Sequence, residues 1–382
     1  MSAVNPSLSR PPQAPPDPAL VADTLRRKLP FSAEFVSLTP LVGDASNRRY
    51  YRVHLRVHLA GTTPPSLVLM QLAEPEPFKQ SEEAVSGGHV PISELPFLNV
   101  LSHLARAGIP VPALHYHDQE KGLLYLEDCG DVTLLQACQS VSETVRQGLY
   151  EEALDLLAHL HLRATATLGP HCVAAHRRFD VPLLMWEFDH FLEYGVVARN
   201  GQPMWQADHD AVRGEFVKIA EMMAAQSQIF THRDYHSRNL MVREPSAPDG
   251  GRPGWRLAVL DFQDALLGPA AYDLASLLRD AYIAVDEGWL DHLIGRYVSR
   301  MTEGGLALGD RSAFRRVFDL TSLQRNLKAA GRFVFIDRIK GNPTFLADVP
   351  RTLGYVRRNL QKYPELAPLR KHLSPYVPEL QD

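Results

Sequence analysis

Two short polar runs, HRDYHSRN at His232–Asn239 and DFQD at Asp261–Asp264, are separated by a stretch that reads as a single β-hairpin. No other feature constrains the chain as tightly. Apolar runs at 240–242 and 257–260 flank the turn-forming Asp249, Gly250 and Gly251. The two ends of a hairpin lie side by side, so the run before its first strand and the run after its second share one place. Asp234, Asn239 and Asp261 are therefore expected to gather around one pocket.

The rest of the chain divides by pattern. Residues 31–72 read as strands. Within them Val53, Leu55, Val57 and Leu59 alternate with Arg52, His54, Arg56 and His58. That alternation puts the two histidines on a solvated face rather than at a metal. SLVLMQL at 66–72 suits a buried strand, and 74–91, rich in Pro, Gly and charge, reads as a loop. A helix comes next, with Ser93 as its N-cap, Leu98, Leu101 and Leu104 at helical spacing, and Gly108 as its stop. GLLYL at 122–126 is a further strand. Beyond it helical periodicity dominates, over 141–168, 211–226, 272–284, 290–301 and 313–330. A strand-rich first third and a helix-rich remainder predict an α+β, bilobal chain. The expected divisions are a disordered, Pro-rich leader over 1–30, a small β-rich lobe over 31–128 and a helical lobe over 129–382.

Composition excludes several functions. Net charge is only −4 with no basic block, which argues against a nucleic-acid partner. Three cysteines without a CxxC pair suit neither a disulfide framework nor a zinc site. No apolar run is long enough for a signal peptide or a membrane span. A cytoplasmic monomer with no membrane partner is the expectation.

The residue types in the two runs suit phosphoryl transfer. Its loose, highly charged transition state demands positioning and charge stabilisation. Asp234 can hold an attacking hydroxyl and accept its proton. Asn239 and Asp261 offer the hard oxygens that Mg2+ prefers. The first run resembles the kinase catalytic loop at every specified position. The second resembles the metal-binding DFG, with Gln263 where the glycine stands. A lone Asp could instead cap a turn, and His232 and His236 could suggest a metal cluster. The reading preferred for His232 is a buried hydrogen-bonding scaffold.

A third block, Gly268-Pro-Ala-Ala-Tyr-Asp-Leu-Ala275, completes a resemblance to the aminoglycoside phosphotransferase and choline kinase superfamily. THRDYHSRNLMV, LDFQDALLGPAAYDLASLLRDAY, LQRNLKAAGRF and KYPELAPL resemble, within it, the anomeric amino-sugar kinases of bacterial cell-wall recycling. The resemblance implies a protein-kinase-like fold, ATP as donor, and transfer to the C1 hydroxyl of N-acetylmuramate or N-acetylglucosamine. It implies Asp234 as catalytic base, Asn239 and Asp261 as Mg2+ ligands, and Asp273 as a brace for the loop. Gly43, Ser46, Asn47, Arg48 and Arg49 fall in the phosphate-approaching turn, although a plain polar hairpin turn would use the same residues. Glu127 and Cys129 fall at the hinge whose backbone binds adenine. Glu187, then Asp264, are the expected acceptor contacts, with part of the Glu187 segment read as core packing. Arg325, near Lys328 on one helical face, is a partner for an acceptor carboxylate, or part of a solvated basic face. The strand Val68–Leu72 departs from the pattern by lacking a lysine, and Arg48 or Arg49 could supply the cation. Two rival readings stay open: another small-alcohol or aminoglycoside phosphotransferase, and a nucleotide-binding scaffold without activity.

Overall fold

The computed structural model describes residues 14–29, 33–41, 48–57, 64–72, 92–243 and 255–381. They divide into two compact units, drawn from 1–75 with 113–128 and from 76–112 with 129–382.

Among the described residues, the first unit is an antiparallel sheet covered by one helix. Its strands are β1 (Ala33–Leu41), β2 (Arg49–Val57), β3 (Ser66–Gln71), β4 (Leu114–Asp118) and β5 (Leu123–Glu127), in the order β1-β2-β3-β5-β4. Strand alternation works as expected on β2, where Tyr51, Val53 and Leu55 are buried and Arg56 is exposed. Helix α1 (Pro18–Lys28) was not expected, since its segment reads as the end of a disordered leader. Asp17 caps its first turn, and Val21 and Leu25 bury themselves among Tyr51, Val53, Leu67, Leu69 and Tyr125. Those contacts supply the burial that the proline-rich composition concealed.

Charge inside this unit is matched. Arg52 donates to both oxygens of Asp128 at 2.6 and 3.1 Å, and Ser66 Oγ adds a bond at 2.7 Å. Gln71 is buried and donates to the Ala14 carbonyl at 3.1 Å.

The second unit is mostly helical. It takes in α2 (Pro96–Arg106), which was expected with the first lobe. This helix starts at Pro96 after Leu95 without a side-chain cap, so Ser93 is not its N-cap. Gly108 closes it at φ 79°. There follow α3 (Leu134–Ser140), α4 (Glu143–Ala166), α5 (Val181–His190) and α6 (Gln206–Ala224). Two short ladders come next: β6 (Gln228–Thr231) with β9 (Leu266–Pro269), and the anticipated hairpin of β7 (Leu240–Val242) with β8 (Leu257–Val259). The chain ends in α7 (Ala271–Leu278), α8 (Glu287–Glu303), α9 (Arg311–Lys340), α10 (Val349–Lys362) and α11 (Ala367–Leu373). The 30-residue α9 runs through the core, packed on α5, α7 and α10. Its span exceeds the predicted 313–330 because its last turns bury Phe333, Val334 and Ile336 before Gly341 caps it at φ 68°.

Candidate active site

The run 232–239 is a loop between β6 and β7, and buried side chains hold its backbone in place. Asp273, in the first turn of α7 and fully buried, accepts from the amides of His232 at 2.6 Å and Arg233 at 2.9 Å. It also accepts from His161 Nε2 at 3.0 Å. His232 donates from Nε2 to the Leu260 carbonyl at 2.9 Å, and its Nδ1 receives the Asp234 amide at 3.3 Å. The imidazole thus ties the loop to the end of β8. Tyr235 anchors the next step, its hydroxyl donating to the Ala153 carbonyl at 2.9 Å.

Arg233 sits at φ 77°, a conformation unfavourable for a side chain of its size. The surroundings over-determine it. Its amide is held by Asp273, its carbonyl accepts from Ser276 Oγ, its guanidinium lies over Phe179, and it pairs with Glu187 at 2.8 Å. This turn aims the neighbouring Asp234.

The Asn239 side chain bridges the main chain at Asp234 and the carboxylate of Asp261. Asn239 Nδ2 donates to the Asp234 carbonyl at 2.9 Å and lies 3.4 Å from Asp261 Oδ2. Asp261 follows β8, is exposed, and adopts φ 61°. Gln263, in the glycine's place, donates from Nε2 to Asp261 Oδ1 at 2.8 Å and reaches Asp264 at 3.4 Å. Phe262 is buried against Phe97 of α2, with ring centroids 5.1 Å apart, which fixes the base of this turn. The oxygens of Asn239 and Asp261 suit magnesium, which takes one or two protein ligands and completes its shell with phosphate and water. Both of these Asn239 bonds are made by its amide nitrogen, so Oδ1 is the atom that could serve as a neutral hard donor.

Asp234 is half-buried beneath positive charge. Burial by itself would raise its carboxyl pKa. Lys328, His236, Arg233 and Arg325 outweigh burial and hold the carboxyl well below the usual range. The group is ionised at neutral pH. Such a carboxylate is a weak base in the ground state.

Glu187 is not placed as an acceptor contact. It lies on α5 with no exposed surface and receives Arg233 at 2.8 Å, Gln324 Nε2 at 2.8 Å and Lys328 at 2.9 Å. With its oxygens committed to three donors, it is a counter-charge for the loop and not an open carboxylate. Lys328 likewise is no solvated surface cation, since it also donates to the Tyr272 hydroxyl at 3.2 Å. Arg325 is buried, which excludes the solvated basic face.

Asp280 was missed by sequence reasoning. It is fully buried just beyond α7 and accepts from the amides of Ser237 at 2.9 Å and Tyr282 at 2.9 Å. An acidic residue in an apolar stretch, two helical turns after Asp273, was the available signal.

The expected nucleotide residues are placed unevenly. Gly43, Ser46 and Asn47 lie outside the described residues. Arg49 opens β2 opposite Gln71, and Arg48 precedes it. Glu127 ends β5, where its carboxylate accepts from the Ala113 amide at 3.0 Å. Cys129 is buried with Met241 and Ala258, a small apolar filler.

Fold and loop together define a phosphotransferase with a protein-kinase-like fold. The chain belongs to the phosphotransferase enzyme family, whose model matches residues 37–308. It is 31% identical to N-acetylmuramate/N-acetylglucosamine kinase of Pseudomonas putida, covering 87% of this chain and 86% of that protein. The corresponding Neisseria meningitidis protein, of the same name, is 31% identical over 87% of this chain and 88% of its own length. Among solved structures, choline kinase from Cryptosporidium parvum superimposes with a TM-score of 0.56 at 13% identity, over 93% of this chain and 99% of that one.

Proposed function

We propose that the protein transfers the γ-phosphoryl group of ATP to the anomeric hydroxyl of N-acetylmuramate or N-acetylglucosamine. The observation that carries the reading is the Asn239 carboxamide reaching both the main-chain carbonyl of Asp234, at 2.9 Å, and the Asp261 carboxylate, at 3.4 Å. The sugars come from the names of the relatives.

In this proposal Asp234 holds the anomeric hydroxyl in line and receives its proton. An anomeric hydroxyl is more acidic than an ordinary alcohol, which matches a carboxylate of depressed basicity. Asn239 and Asp261 would hold magnesium, which neutralises charge on the phosphates when bound. Asp273, Asp280 and His232 keep the loop backbone fixed, so that no reorganisation is needed at the moment of transfer. Asp264 contacts the acceptor side. The turn containing Gly43, Ser46, Asn47, Arg48 and Arg49, and the backbone at Glu127 and Cys129, serve the nucleotide.

The test is a phosphorus NMR spectrum of the product, with N-acetylmuramate, N-acetylglucosamine and kanamycin offered separately alongside ATP and Mg2+. The expected product is an acid-labile sugar 1-phosphate from the amino sugars. Phosphate on another hydroxyl overturns the regiochemistry, and turnover of kanamycin alone overturns the substrate class.

A further inference from the structure

Gln324, Arg325 and Lys328 lie close together in the middle of α9, and the first and last of them reach a carboxylate. Gln324 and Lys328 both donate to Glu187. Arg325, between them in sequence, is only 6% exposed. Its Nε and Nη1 are buried without a hydrogen-bond partner among the described residues, and it forms no ion pair there. Arg233 and Arg279, the other buried arginines of the described unit, also leave Nε without a partner, yet each has a carboxylate. Arg233 pairs with Glu187, and Arg279 reaches both oxygens of Glu287. An interior guanidinium without an acceptor is costly, so a position that keeps one has a partner arriving from elsewhere.

We propose that Arg325 is an oxyanion-binding residue of the active centre, taking either a carboxylate oxygen of the acceptor or an oxygen of the phosphoryl group in transfer. This rests on the phosphotransferase reading of the Asp234 loop. Its place beside that loop follows from its neighbours: Gln324 and Lys328 bind Glu187, which binds Arg233, the residue next to Asp234. Its charge also bears on Asp234, His236, Tyr272 and Tyr282. A guanidinium stays charged at any pH the protein survives and makes strong charge-assisted bonds to carboxylate and phosphate oxygens. A neutral hydroxyl would leave that charge uncompensated.

The experiment compares wild type with Arg325→Met and Arg325→Gln in two assays. In the first, steady-state kinetics are measured with N-acetylmuramate, which carries a carboxylate, and with N-acetylglucosamine, which does not. A role toward the acceptor carboxylate raises KM for N-acetylmuramate by about tenfold to a hundredfold and by much less for the neutral sugar. A role toward the phosphoryl group lowers kcat for both sugars by a similar factor while both KM values hold. In the second assay, melting temperature is followed as inorganic phosphate is added to protein without nucleotide. Wild type is stabilised and both variants lose the shift. Kinetics within twofold of wild type for both sugars, with the phosphate shift retained, overturns the proposal. Should wild type phosphorylate neither sugar, the proposed substrates fail, and the phosphate shift still decides the role of Arg325. Should the Met variant fail to fold, the Gln variant carries the comparison.

Discussion

The loop that carries Asp234 is held from two sides, and the two sides hold different things. From the α7 side, Asp273 and Asp280 accept backbone amides of His232, Arg233 and Ser237. From the side of α5 and α9, Glu187, with Gln324 and Lys328 around it, binds the guanidinium of Arg233. The first side fixes where the loop runs. The second adds to the charge that Asp234 feels, since Lys328 and Arg325 of α9 bear on its carboxyl together with the loop's own His236 and Arg233. The α7 side thus supplies geometry and the α9 side a share of the electrostatics, and substitutions should separate them.

The largest expected effect is on turnover alone. Asp234→Asn keeps the shape of the side chain and removes the proton acceptor, so kcat should fall by roughly 10²–10⁴. Circular dichroism should be unchanged, because the loop backbone is held by other residues. Turnover near wild type would remove this loop from the chemistry, and with it the point of comparing its two walls.

The next effect falls on stability, from the α7 side. Asp273→Ala orphans the amides of His232 and Arg233 and the buried His161 nitrogen. Each unsatisfied buried donor costs about 1–3 kcal/mol, so a loss of about 3–5 kcal/mol in urea unfolding is expected. Asp280→Ala orphans two amides, and about 2–3 kcal/mol is expected. Both should lower kcat more than they raise KM, because the loop loses its register. Unfolding midpoints equal to that of wild type for both variants would mean that the loop is held elsewhere.

The opposite wall gives a test with a different signature. Glu187→Gln keeps a similar shape and leaves Arg233 and Lys328 without their counter-charge. A loss of about 2–4 kcal/mol is expected, with KM for the sugar little changed. A KM rise of tenfold or more with unchanged stability would restore Glu187 as an acceptor contact, against its complete burial.

How much of this was legible beforehand depended on whether the information was local. The loop and the metal-side turn were readable because HRDYHSRN and DFQD are short runs whose residue types are dictated by the chemistry, and a hairpin joins them. Helix α1 was hidden because its proline-rich approach resembles a linker, and only the sheet beneath Val21 and Leu25 makes it fold. The role of Glu187 was hidden for a related reason. Its partners Arg233, Gln324 and Lys328 come from elements far away in sequence, and nothing in VPLLMWEFDH announces that its one glutamate faces inward to three donors. Arg325 and Lys328 look alike on a helical wheel. Only the packing shows one of them matched and the other without an acceptor among the described residues.

The smallest expected effect is also the finest probe of the charged wall. Gln324 donates from Nε2 to Glu187, while its Oε1 is buried with no partner among the described residues. Gln324→Met removes a bond to a charged acceptor, worth about 1.5–3 kcal/mol, and at the same time removes an orphaned carbonyl oxygen that costs about 1–3 kcal/mol. The two nearly cancel, since methionine also fills a comparable volume. A net change of at most about 1 kcal/mol is expected, against the larger loss for Glu187→Gln. If the charged wall acts through its net charge, the neutral Gln324 should matter little, and kcat should stay within about twofold. A loss of stability as large as that of Glu187→Gln would instead mean that the wall works by hydrogen-bond geometry, as the α7 wall does, and the distinction between the two sides would collapse.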